Sequence, residues 1–472
     1  MIVHVRGGEP RQPMADAFPV GSITSVAIAV ALVAGLVTAV AGPVVAVIAL
    51  GVGLVGLVAW RPVLATYVYL ATLPFIAGID RGTLVPLVRP NEALLVLLVA
   101  GAMAGGYVRA LRGAPLQLRL HPLDVPLAAF LLLATAWPIS SMLLRGVPPH
   151  AAELAAILPA CKLAGLFLLV RTTVRTSTQV LWCIRLIIGG AVGVAVIALL
   201  QRLGVGPVPE LLATWWPCWP EETARATTTL SNAMATGEYI LIGLTLLVMS
   251  GVRDLLGRWT QVGAGLVLVA GLSVVGQFSA WLGGLVVAAF LVWRLPAARA
   301  SALRVAALLG SAMLVGSPAL LARLKDSGGS APPGWRVRWD NLSHLYLPEL
   351  VDNGRFLVGV STNSVKLPPD TARQVIFLES GYLQFLWVGG VPLLIGFGVL
   401  SWAVLKLTHR VSSRTDGVGA CASALFIAWW TVVVLSLFDP YLFMRGPGDL
   451  LFTLVAIVSG MAVEERADDV PA

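Results

Sequence analysis

RQVIFLESGYLQFLWVGGVPLLIGFGVL, residues 373–400, is where this chain changes solvent. The segment begins with Arg373 and reaches Glu379 before turning apolar, and from Ser380 onward it can cross the ~30 Å hydrocarbon core of a bilayer. Upstream lies a polar and aromatic insert, Arg323 to Ile376, opening RLKDSGGSAPPGWRVRWDN. Almost every other connection between apolar runs is short. The pattern predicts a multi-span helical bundle with one large polar insert on one side.

Composition excludes an ordinary soluble globule: the 472 residues are 58% hydrophobic and 12% charged, with mean hydropathy +0.87. Apolar runs of about 18 to 25 residues recur. Spans are expected near 18–42, 43–60, 62–79, 91–108, 123–143, 152–171, 179–201 and 227–250. More follow near 258–275, 277–294, 302–322, 377–405, 418–438 and 447–463. The expectation is an all-α polytopic membrane protein of 12–14 transmembrane helices with one large extracytoplasmic loop. Residues 1–322 form an N-terminal bundle, 323–376 the loop, and 377–472 the C-terminal helices and tail. The first apolar run lacks a small-residue cleavage site and reads as a span rather than a leader.

Arginine sets the orientation. The connections 109–121, 171–175, 253–258, 294–304 and 406–414 are short, basic and of one parity, hence cytoplasmic by the positive-inside rule. Both termini then lie inside, and 80–90, 144–151, 202–226, 323–376 and 439–446 lie outside. The net charge of +8 is read as this orientation signal, and no nucleic-acid partner is expected. The four cysteines have no spacing that suggests a disulfide frame or a zinc site.

Ionisable residues at membrane depth need a reason. Glu92, Arg202, Glu238, Gln277, Glu379, Asp439, Arg445 and Asp449 fall mostly in the outer half, and Lys162 lies well inside its span. Within 227–250, read as one helix, Thr228, Ser231 and Glu238 share a face. That stripe suits hydrogen bonding between packed helices or a polar site. Arg225 suits an interface anchor or a phosphate clamp. In the insert, Arg336, Arg338, Arg355 and Arg373 alternate with Trp335, Trp339 and Tyr346. That pattern fits a headgroup-level aromatic belt as well as a surface for sugars and anions. His344 is a structural histidine or a general base, and Glu379 a helix cap, an ion-pair partner or a general base.

Several of these segments resemble the O-antigen ligase/polymerase superfamily. RATTTLSNAMATGEYILIGL (225–244) is similar to its R-x-x-G-T-x-x-N span, and GWRVRWDN (334–341) with LVGVSTNSV (357–365) to the start of its large periplasmic loop. ESGYLQFLWVGGVPLLIGF (379–397) resembles the loop's exit, H-N-x-Y-L-x-x-L-x-x-x-G-x-x-G, and QFSAWLGGLVV (277–287) a span often reading S-R-G-x-x-x-G. The likeness covers most of 60–460 in layout. Two positions depart: Ser279 is followed by Ala280 rather than arginine, and the H-N pair reads Glu379-Ser380. These departures fit a divergent exopolysaccharide-type polymerase better than a ligase acting on lipid A core.

The resemblance implies a glycosyltransferase of the bacterial cytoplasmic membrane, without metal or cofactor, that moves glycan from an undecaprenyl-diphosphate carrier on the outer face. Arg225 would hold the diphosphate, Glu379 (or His344) would activate the acceptor, and Arg336, Arg338, Trp339, Arg373, Glu238 and Lys162 would contact substrate. Membrane lipids, a flippase and a chain-length regulator of the same pathway are the implied partners. Rival readings are a ligase, a lipid-linked-sugar flippase or transporter, and a shape-determining peptidoglycan-type polymerase. Transporters more often show internal repeats and midplane sites.

Overall fold

The computed structural model describes residues 43–83, 88–113, 120–218, 225–294, 333–366 and 376–468. Among the described residues the chain is helical, and its only β pairing is a single bridge between Lys366 and Ile376. The elements used below are α1 (Pro43–Trp60), α2 (Val63–Ile76), α3 (Pro90–Leu111), α4 (Asp124–Ala134), α5 (Ala136–Leu144), α6 (Ala151–Thr173) and α7 (Ser177–Leu203). They continue with α8 (Val208–Trp215), α9 (Ala233–Gly251), α10 (Arg258–Val275) and α11 (Phe278–Arg294). The last are α12 (Pro333–Asn341), α13 (Leu347–Val351), α14 (Gly381–Val411), α15 (Gly417–Leu435) and α16 (Pro447–Asp468).

Seven of these, α3, α6, α7, α9, α10, α14 and α15, are long and apolar enough to cross a membrane, and the bent pair α4–α5 makes an eighth. Shorter apolar helices lie at Val47–Trp60, Val63–Ile76, Ser279–Phe290 and Pro447–Ala462. The chain is a multi-pass helical membrane protein. The runs expected at 18–42 and 302–322, and Arg373 of the insert, lie outside the described residues.

Helices α9 and α15 form the centre, with α7, α10, α11, α14 and α16 packed around them. Small residues allow this closeness. A Cβ on Gly243 of α9 would stand 2.2 Å from the Ala191 Cβ of α7, and one on Gly271 of α10 would stand 2.5 Å from that of Ala195.

Three spans depart from the sequence expectation, each for a local reason. The run 227–250 is not one helix. Thr228 and Ser231 have φ of 52° and 59°, a left-handed backbone that ends a short turn, and helix α9 starts only at Ala233. Asn232 caps it, its Oδ1 accepting from the Met234 and Ala235 amides at 2.8 and 3.1 Å. The Thr229 and Ser231 hydroxyls instead donate to the carbonyls of Pro74 and Gly78 at the end of α2. Thr228 and Ser231 therefore share no helical face with Glu238, which lies five residues past Ala233, about 8 Å into α9 at 1.5 Å per residue.

The span 123–143 bends by 40° at Thr135. Pro138 is the cause, because its ring clashes with the carbonyl four residues back, that of Ala134. The third departure is α14, which turns sharply at Gly390 (φ 66°, ψ −162°), two residues before Pro392. The backbone groups freed there are met by other segments. Trp387 O accepts from the Val360 amide at 2.6 Å, and Gly389 O from the Trp137 indole at 3.1 Å. A Cβ on Gly390 would sit 2.5 Å from Leu357 O, so glycine is required both for its φ and for this approach.

The strap 358–362 is thus seated in the kink of α14. Arg145 holds it from α5, donating to Val360 O at 2.9 Å, and Ser141 donates to Val358 O at 3.0 Å. Thr362 donates to Glu153 O at 2.8 Å. Beside it Tyr346, Leu350, Ile376, Leu378 and Trp387 build a small core of their own.

Elsewhere in the bundle, α16 is tied to α6 and α2 by charge. Lys162 Nζ lies 2.7 Å from the Asp449 carboxylate, the Tyr69 hydroxyl donates to it at 2.6 Å, and the Gly446 amide at 3.0 Å. All three side chains are buried. Replacing Lys162 by Met strands the Asp449 charge and is expected to cost about 3–5 kcal/mol. The double change Lys162→Met with Asp449→Asn is expected to recover most of it. Thermal unfolding of the purified protein in detergent reads both. An unchanged midpoint for the single variant would show that the pair carries no such burden.

Candidate functional site

At the end of the bundle that bears the insert is a pocket of about 230 Å³. Its chemistry is carried by Arg338, Trp339, Tyr346, Phe377, Glu379 and Phe438. Arg338 rises from α12 and forms an ion pair with Glu379. The same guanidinium reaches Asp439 at 3.4 Å and the Phe438 carbonyl at 3.4 Å. One arginine is therefore shared by two carboxylates from different segments.

Each partner is held from below. Glu379 directly precedes Ser380, the N-cap of α14, and the Gly381 amide donates to Ser436 O at 2.8 Å, fastening the start of α14 to the end of α15. Asp439 follows four residues after α15 and is 2% exposed. Next to it the buried Tyr441 feels the charges of Asp439, Glu238 and Arg338, and burial above all pushes its hydroxyl well above the usual phenol range.

The roof is aromatic. The Tyr346 hydroxyl donates to Ser364 O at 2.8 Å and Ile376 O at 3.0 Å, and its ring meets Trp387 edge-on at 5.1 Å. Lys366 lies over both rings, 5.3 Å and 5.0 Å from their centroids, and pairs with Glu349 at 2.7 Å. Burial first, then the Glu379 and Glu349 charges, raise the Tyr346 hydroxyl above its ordinary range, which keeps it a donor.

Of the residues singled out from the sequence, Arg338, Trp339 and Glu379 come together in this pocket. Arg336 is exposed on α12 and is not among the lining. His344 is exposed, its Nδ1 in contact with Asp340 O at 3.0 Å and Ser343 Oγ at 3.1 Å. Lys162 lies in the buried pair with Asp449. Arg225 stands before the turn that precedes α9, donating to Gln277 Oε1 at 2.8 Å, and Gln277 passes the contact on to Ser279 at 3.2 Å. Glu238 is buried within α9, and among the described residues neither of its oxygens has a hydrogen-bond partner. Arg373 lies outside the described residues.

Tyr441 and the pairing of Asp439 with Arg338 carry no role in the sequence reading. Their only signal is the run FDPYLF (438–443), an acid set among aromatics between two apolar spans. Neither protein-family models nor curated proteins give a match to this sequence.

Glu379 is ion-paired with Arg338, and a carboxylate held in this way is better able to take a proton once the guanidinium shifts toward another anion. A group that develops negative charge beside Arg338 supplies that shift. Tyr346→Phe removes the donor that joins 342–346 to residues 364 and 376, at about 1 kcal/mol per lost bond. Amide exchange across 342–366 is expected to quicken, with α9 and α15 unaffected. Unchanged exchange in the insert would mean the hydroxyl does not hold the roof.

Proposed function

We propose that this protein is a lipid-diphosphate-dependent glycosyltransferase that polymerises, or transfers, an undecaprenyl-diphosphate-linked oligosaccharide on the outer face of the bacterial cytoplasmic membrane. The observation that carries the reading is the shared Arg338: a carboxylate, Glu379, poised against a cation that also reaches Asp439, beside aromatic rings at the end of a membrane bundle. The resemblance of 225–244, 334–341 and 379–397 to the O-antigen ligase/polymerase superfamily points the same way.

In this reading the insert, 323–376, faces the outside, in agreement with the short basic connections of opposite parity. The polyprenyl tail lies among the helices and the sugars beneath Trp339 and Tyr346. Glu379 accepts the proton of the acceptor hydroxyl as that oxygen attacks the anomeric carbon. The bond from that carbon to the diphosphate oxygen breaks, and undecaprenyl diphosphate leaves with the electron pair. Arg225, oriented by Gln277, meets the growing phosphate charge, so it stabilises the transition state more than the ground state. Arg338 is released from Glu379 in the same movement.

A second reading, a lipid-linked-sugar flippase, is favoured by the buried carboxyl of Glu238, which has no hydrogen-bond partner among the described residues, since ionisable groups inside a bundle often mark a transport path. The two separate in one assay. Purified protein in lipid is given an undecaprenyl-diphosphate oligosaccharide, and the products are sized. Polymerisation gives a ladder of longer glycans with free undecaprenyl diphosphate, whereas a flippase leaves the donor length unchanged. Glu379→Gln is expected to lower turnover by roughly 10²-fold or more with donor binding kept. Full turnover in that variant removes Glu379 from the mechanism.

A further inference from the structure

Three arginines gather where α2, α3 and α16 approach one another. Arg81 Nη2 is 3.0 Å from Glu92, and its Nη1 donates to Ala155 O at 2.9 Å. Arg445 Nη1 is 2.7 Å from Asp80 and reaches Gly78 O at 3.4 Å. Arg89 is different: among the described residues its guanidinium makes no hydrogen bond, and its only ion pair there is a loose 3.9 Å approach to Glu92, which Arg81 already occupies. Its Nε is buried without an acceptor among the described residues, and so is that of Arg81.

A guanidinium carries five N–H donors, and leaving them unmet away from water is costly. Snorkelling would bring Arg89 to bulk water, but its side chain is only 16% exposed. Two carboxylates, Asp80 and Glu92, face three cations, so one positive charge is left over. The start of α3, directly after Arg89, adds the positive end of a 22-residue helix. Burial, then Arg445 and Arg81, pull Arg89 down to about 10, the direction expected of a cation crowded by cations. Arg445 and Arg81 are 31% and 22% exposed, so the cluster is open to a ligand from outside.

We propose that Arg81, Arg89 and Arg445 form a phosphate-binding site at this end of the bundle, apart from the Glu379 pocket. Planar forks converging from three segments match the several oxygens of a phosphate group, and a single carboxylate would leave most of the donors unmet. The same chemistry belongs to a phospholipid headgroup and to a free phosphate or diphosphate. The site does not rest on the glycosyltransferase reading, since none of its residues has a part in that reaction.

The test uses the full chain in a neutral detergent, with thermal unfolding followed against inorganic pyrophosphate. A second arm uses vesicles of phosphatidylcholine with and without phosphatidic acid. Arg89→Gln is expected to weaken the response at least tenfold, whereas Arg185→Gln, at an exposed position of α7, leaves it unchanged. Ligand-free Arg89→Gln is expected to melt no lower than the parent, because the change removes a crowded, unmatched cation. Arg89→Lys, which keeps the charge and loses the fork, should fall between. A saturable, Arg89-dependent response to pyrophosphate identifies a free-phosphate site. The same dependence seen only with phosphatidic acid identifies a lipid headgroup. No response to either ligand, or a response that Arg89→Gln leaves intact, overturns the proposal. A ligand-free midpoint that drops in Arg89→Gln, with no ligand response in the parent, overturns it as well and makes the cluster structural.

Discussion

Asp449 is fully buried in a bundle made for hydrocarbon, and the surrounding helices are arranged to meet its charge. An isolated carboxylate there would be prohibitively expensive, whereas one that accepts from Lys162, Tyr69 and the Gly446 amide is tolerated. These contacts join α16, α6 and α2, which are far apart in sequence. They also fix the height at which α16 enters the bundle. That height places the segment 438–446, with Asp439 and Arg445, at the end where the insert folds.

Broken helices do the rest of the positioning. A membrane helix satisfies its own backbone, so a break exposes groups that something else must meet. The kink at Gly390 and Pro392 exposes carbonyls that the strap 358–362 and Trp137 occupy. The left-handed turn at 228–231 presents hydroxyls to the end of α2. Each break is therefore also a docking point. Without the kink in α14 the strap would lose the Trp387 carbonyl that accepts from Val360, and Ser141, Arg145 and Glu153 alone would hold it.

The fold class was legible because hydrocarbon selects strongly on composition: eighteen or so apolar residues with few charges have few other uses. Glu379 is legible as a candidate because it stands where polarity changes, and Arg338 and Trp339 because arginines alternate with aromatics in the insert. The run 227–250 reads as one helix from its sequence for a physical reason. Ser, Thr and Asn at spacings of 3 and 4 look like a helical stripe, but the same residues cap and terminate helices, and Asn232 does so here. Partners separated by 287 residues, such as Lys162 and Asp449, leave no periodic trace in a single sequence. The same holds for Arg81, Arg89 and Arg445, which stand on three separate segments.

The two charged sites at the insert's end are of opposite character, and this bears on what each can hold. Counted over Arg338, Glu379 and Asp439, the pocket carries one more negative charge than positive. Counted over Arg81, Arg89, Arg445, Asp80 and Glu92, the cluster carries one more positive. A phosphate placed between the two would be driven toward the arginines by Coulomb forces that low dielectric strengthens. A sugar, neutral and rich in hydroxyls, meets no such penalty beside the carboxylates and gains from aromatic faces.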